Sequence, residues 1–155
     1  MRREYIRATP QWRSGPPRYD CVFVNRDDTL PGLLGMAVAR VRLFFSFKYE
    51  GMVHDCAAVH WFRRIDDEPD KDTGMWVVQP ESRRVGHSKA PLISVIDLGT
   101  IVRAAHLIGV SIGQEVPADQ QSHDSLDTFT QFFVNKYIDH HAFEMLHYPP
   151  ITSPA

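Results

Sequence analysis

The sequence predicts a mainly β protein, a small antiparallel barrel closed by a C-terminal α-helix. Two observations carry this prediction. From Cys21 to Val110, apolar and β-branched residues alternate with polar ones in short runs separated by Gly, Pro and Asp, the signature of half-buried strands. After Asp124 the spacing changes. Leu126, Phe129, Phe133 and Tyr137 fall at steps of three and four, which makes one apolar stripe along a helix. About five or six short strands at this spacing suit a closed antiparallel sheet better than a doubly wound one.

The chain has 155 residues, a net charge of -2 and 43% hydrophobic residues. That is enough for one domain with a real core, and no global field draws it to nucleic acid or to an anionic surface. Residues 1–18 carry Arg2, Arg3, Arg7, Arg13 and Arg18 among Pro10, Pro16 and Pro17, and are expected to be a basic flexible arm or linker. Residues 19–147 are expected to be a single barrel-like domain with its helix, and residues 148–155 a flexible tail broken by Pro149, Pro150 and Pro154. No run approaches the roughly 18 apolar residues of a membrane span, and MRREYIRATP has no signal-peptide core. Cys21 and Cys56 sit in apolar runs without short-spaced His partners, so two reduced, buried thiols of an intracellular protein are expected.

Individual elements follow from local patterns. CVFVN (Cys21 to Asn25) is a β-branched strand stopped by Arg26-Asp27-Asp28 and Pro31-Gly32. From Val38 to Phe47 the alternation places Val41, Leu43, Phe45 and Phe47 on one face and Arg40, Arg42, Phe44 and Ser46 on the other. Glu50-Gly51 marks a hairpin into Cys56–Arg63, where Val59 and Trp61 face inward. Met75 to Val78 is a strand, Ser82 to Pro91 a polar basic loop, and Leu92 to Ile96 a strand turned by Asp97-Leu98-Gly99. Ile101 to Val110 reads as a strand, or as one helical turn and a strand. Helix is expected from Leu126 to about Asp139, capped by Asp124 or Ser125.

Three constellations bear on function. His140, His141 and Glu144 form the most metal-like cluster, because a His and a carboxylate four apart share a helical face. Their order matches no catalytic zinc signature, and the plain alternative is a His140–Glu144 hydrogen bond. Asp66, Asp67, Glu68, Asp70 and Asp72 lack the mid-loop glycine and flanking helices of a calcium loop. Arg40, Arg42, Arg63 and Arg64, with Arg83, Arg84, Lys89 and Arg103 nearby, could make a basic surface that contacts phosphates. Solvated strand faces are the plain alternative. No nucleophile elbow or phosphate-binding glycine loop occurs, so no enzyme, no cofactor and no small-molecule substrate are expected.

The stretch ARVRLFFSFKYEGMVHDCAAVHWFRRIDDEPDKDTGMWVV, followed by ISVIDLGTIVRAAHLIGV and VNKYIDHHAFE, resembles a C-terminal-type domain of transposon proteins of mushroom-type fungi. These are the Plavaka and related Kyakuja–Dileera–Zisupton groups. The resemblance spans about residues 18–146. Within it, ARVRLFF and CAAVHWF are similar to the Arg-Val and Val-x-Trp-Phe strands of bromo-adjacent homology domains, small SH3-like barrels that read chromatin. That likeness implies an aromatic pocket for a methylated lysine, with Trp61, Phe62 and Trp76 as the nearest aromatic residues. Together the resemblances imply a non-catalytic, nuclear interaction module for chromatin or DNA. The alternative is a structural or protein–protein module that positions a catalytic domain absent from this chain, among other domains of a transposon protein. The weakest alternative is a metal-dependent enzyme fragment with its metal at the His140 region.

Overall fold

The computed structural model describes residues 3–111 and 125–148. Strands account for 48% and helices for 12%, and the main sheet is a nearly closed antiparallel barrel with a short C-terminal helix. In chain order the elements are β1 (Ala8–Thr9), β2 (Arg18–Tyr19), β3 (Cys21–Asn25), β4 (Met36–Tyr49), β5 (Met52–Arg64), β6 (Val77–Pro80), β7 (Ser82–Val85), β8 (Ser88–Pro91), β9 (Ile93–Asp97), β10 (Ile101–Ala105), β11 (Leu107–Gly109), α1 (Ser125–Thr128), β12 (Phe132–Val134) and α2 (His140–Leu146). The sheet runs β10-β3-β4-β5-β6-β12-β11, and β9 also pairs with β5. Only His106 separates β10 from β11, so the strand at one end of the sheet continues into the strand at the other. That continuation draws the barrel together.

Side chains on β3, β4 and β5 point alternately into two cores. Phe23, Val38 and Phe62 meet Val78, Phe132, Val134 and Leu146 in the barrel interior. Val22, Val24, Ala39, Val41, Ala57, Val59 and Trp61 form a second cluster, covered by Ile6, Ala8, Leu92, Ile96 and Ile101. β9 and β10, joined by a 3-10 turn, pair with β5 and β3, and this brings their apolar residues over the second cluster. A strand apolar on both faces reads as a continuous hydrophobic run, which is how CVFV appears.

The β4–β5 hairpin turns at Glu50 (φ 49°) and Gly51 (φ 77°), the pair of left-handed residues that matches the twist of a two-residue hairpin. Its register breaks once. Val41 pairs with Val59, but Leu43 pairs with Ala58, so Arg42 is an extra residue, a bulge. Beyond it the faces exchange. Phe44, not Leu43 or Phe45, packs on the second core, and Leu43 is 54% exposed. The expectation that Leu43 and Phe45 point inward with Val41 is therefore corrected, whereas Val41, Val59 and Trp61 are buried.

Three further expectations change. The long helix over residues 126–139 is instead α1, β12 and a turn, and α2 starts afresh at Asp139, whose side chain accepts a hydrogen bond from Ala142 N at 2.8 Å. Phe132-Phe133-Val134 becomes a strand because Val77 and Val78 on one side and Leu107 to Gly109 on the other offer it both edges. The basic loop at residues 82–91 is the β7–β8 ribbon. From Glu4 onward the supposed flexible arm is part of the fold. β1 pairs with β2, Arg7 N donates to Asp20 at 2.9 Å, and the Arg7 guanidinium lies 4.1 Å from the Trp12 ring centroid. The tail expected at 148–155 lies outside the described residues but for Tyr148, which meets Trp76 edge to face.

Candidate interaction surfaces

The four arginines expected on one basic face do not gather. Successive strand residues point to opposite faces, so Arg63 and Arg64 diverge. Arg40 is buried, and donates to Tyr19 O at 3.2 Å and to Asp127 at 3.0 Å. Asp127 stands in α1, far along the chain, so the charge of Arg40 is neutralised by a contact invisible at short range. Arg42 lies over the Tyr19 ring at 4.4 Å, and Arg64 over Trp76 at 5.1 Å. Arg40 and Arg42 share the Tyr19 ring, whereas Arg63 is exposed beside the cations of β7 and β8.

The three aromatic residues expected around a methyl-lysine pocket are instead core. Trp61 belongs to the second cluster, with Arg26 4.5 Å above its ring. Phe62 packs edge to face on Phe132, with centroids 5.9 Å apart, and Trp76 is 2% exposed. Cation–π recognition needs an open aromatic face. The faces of Trp61 and Trp76 already carry arginines.

A basic cleft does form at an unexpected place. Arg63, Gln79, Arg83, Arg84, His87 and Lys89 line a depression of about 620 Å³ between β5, β6 and the β7–β8 ribbon, with Glu81 as its one carboxylate. Arg84 and Lys89 are register partners. Like charges directly opposite each other on a ribbon destabilise it. Among the described residues no carboxylate forms an ion pair with Arg63, Arg83, Arg84 or Lys89. The ribbon thus sets Arg84 and Lys89 together on one face and Arg83 on the other.

The protruding hairpin presents the opposite character. Across β4, β5 and β9 the register puts Leu43, Ala58 and Val95 in one row, Phe47 beside His54, and Tyr49 beside Met52. Phe47 stacks on His54 with centroids 5.1 Å apart. Leu43, Phe47, Tyr49, Met52, Ile93 and Val95, six large apolar side chains on this one face, are each 47–66% exposed. On the other face, Ile6, Phe44, Leu98 and Ile101 line an apolar pocket of about 520 Å³.

The metal candidates separate. His140 Nε2 lies 3.0 Å from Glu144 on the exposed side of α2, whereas His141 Nδ1 faces Arg103 at 3.0 Å. Among the described residues no group of three His, Cys, Asp or Glu is arranged to hold a metal. Arg103 grips Asp139 with its two terminal guanidinium nitrogens, at 2.7 and 3.0 Å, and so ties β10 to the start of α2. That pairing, with the Ala142 N–H, holds the Asp139 carboxyl well below the usual carboxylate range. Comparison with protein-family models, with curated proteins and with solved structures finds no match.

Proposed function

We propose that the chain is a non-catalytic interaction module of a mobile-element protein of the Plavaka type. In this reading it binds the phosphate backbone of DNA in the nucleus through the β7–β8 ribbon and Arg63. The supporting observation is the Arg84–Lys89 pair, two cations placed opposite each other with no carboxylate partner among the described residues. Such a pair costs stability in the free protein and is relieved when an anion sits between the two charges. A ribbon of two strands is narrow enough for a DNA groove, and with no aromatic platform at the cleft the binding is electrostatic and indifferent to sequence.

The test is fluorescence anisotropy of a labelled duplex titrated with the protein over a salt series. Affinity should fall linearly on a log–log plot, because each neutralised phosphate releases counterions. Arg84→Ala combined with Lys89→Ala should reduce that slope by about two, near one per contact. The substitutions relieve repulsion and lie on an exposed ribbon, so the fold is retained. No binding at low salt, or a slope unchanged in the variant, would rule the reading out.

A further inference from the structure

We infer that the exposed apolar face of the β4–β5 hairpin and β9 is a two-fold contact between two copies of this chain. The inference is independent of the nucleic-acid reading, which concerns a different surface. Three observations favour a second copy as the occupant.

The first is extent. Six apolar side chains at 47–66% exposure present on the order of 600 Å², the upper end of what a monomer leaves as one patch. Two such faces in contact would bury on the order of 1,200 Å², where specific stable interfaces begin.

The second is charge. Lys48 and Asp55 pair with Val53 and Ser46 on the hairpin's other face, so the outer half of the apolar face carries no Lys, Arg, Asp or Glu side chain. A two-fold contact sets a surface against itself, and any fixed charge near the axis would meet its own like. The one carboxylate on the face, Asp97, stands at its β9 edge as the register partner of Cys56, so a two-fold axis through the charge-free outer half, around Phe47 and Tyr49, keeps the two Asp97 side chains apart.

The third is the bulge at Arg42. It exchanges the faces of β4 so that Leu43, Phe45 and Phe47 leave the second core. Without it the same alternation would carry them to the side where Val41 is buried. The geometry therefore turns an apolar strand pattern outward, rather than leaving single apolar residues scattered on a polar surface.

The experiment is sedimentation equilibrium of the full chain across a wide concentration range, on the wild type and three variants. Val95→Asp and Phe47→Asp place a charge on the contact face and should each yield a monomer. Val53→Asp is the control, since Val53 is 63% exposed but on the hairpin's opposite face, and it should remain dimeric. All three sites are exposed, and far-ultraviolet circular dichroism will confirm that the variants are folded. A wild type that is monomeric at every concentration overturns the inference. So does a dimer that Val53→Asp weakens as much as the other two, or one that Val95→Asp and Phe47→Asp leave intact.

Discussion

Phe132 is the most direct test of the way the barrel closes. Its side chain is fully buried, and its ring meets Phe62 edge to face at 5.9 Å. Phe132→Ala removes a core aromatic and leaves a cavity walled by strands that cannot collapse independently, a cost of about 3–5 kcal/mol. The lost ring pair accounts for about 0.5–1.5 kcal/mol of that. Its neighbour Phe133 points the other way and is partly exposed, so Phe133→Ala should cost only about 1–2 kcal/mol. The order matters more than either value. On a helical stripe through Leu126, Phe129, Phe133 and Tyr137, Phe133 would be the buried residue and Phe132 the dispensable one. Urea unfolding followed by tryptophan fluorescence measures both, provided the denaturant slope stays constant across the variants. A larger loss for Phe133→Ala than for Phe132→Ala would refute β12 as a strand.

Three further outcomes are expected. Gly35→Ala should destabilise by about 1–3 kcal/mol, because an added Cβ would strike the backbone carbonyls of Asp27 and Leu30, which cannot swing aside. An unchanged melting temperature would contradict the packing there. Asp139 is held below its unfolded value of 3.8, so its contribution is complete above that pH and is lost as pH falls from there through the folded value. Stability measured against pH should therefore decline less steeply below about pH 4 in Asp139→Asn than in the wild type, and parallel acid limbs would refute the Arg103 pairing. Burial pushes the Cys21 thiol up to about 12. In a Cys56→Ser background a thiol reagent at mildly alkaline pH should leave Cys21 unlabelled until urea is added, and rapid labelling of the native protein would show that the β3–β10 seam opens.

The hairpin was legible in the sequence because Glu50-Gly51 and the flanking alternation are local signals that agree. The Arg42 bulge was not. Val41, Leu43 and Phe45 keep perfect period-two spacing, and only the pairing with Val59 and Ala58 reveals the slip. β12 is three residues long, too short to establish a period, and owes its identity to β6 and β11 on either side. The β7–β8 ribbon is exposed almost throughout, so no buried face imposed an alternation to detect. Among the site residues, Arg63, Arg83, Arg84 and Lys89 were visible as cations, but which of them share a surface depends on register. Arg40 looked like a surface charge until Asp127 came to it from the far side of the fold.

The strands β3, β4 and β5 serve as a wall between two apolar clusters. A sheet with one wet face can absorb a polar substitution at every second position, but here Cys21, Val22, Phe23 and Val24 are buried in succession, leaving no permissive site along the run. Loss of either cluster bares one side of the strands that support the other, so partial opening gains little entropy for the apolar surface it exposes. Amide protons in this wall should exchange only through global unfolding, and those of the β7–β8 ribbon through local fluctuation. A variable, adaptable ribbon and an intolerant partition therefore coexist within one short chain.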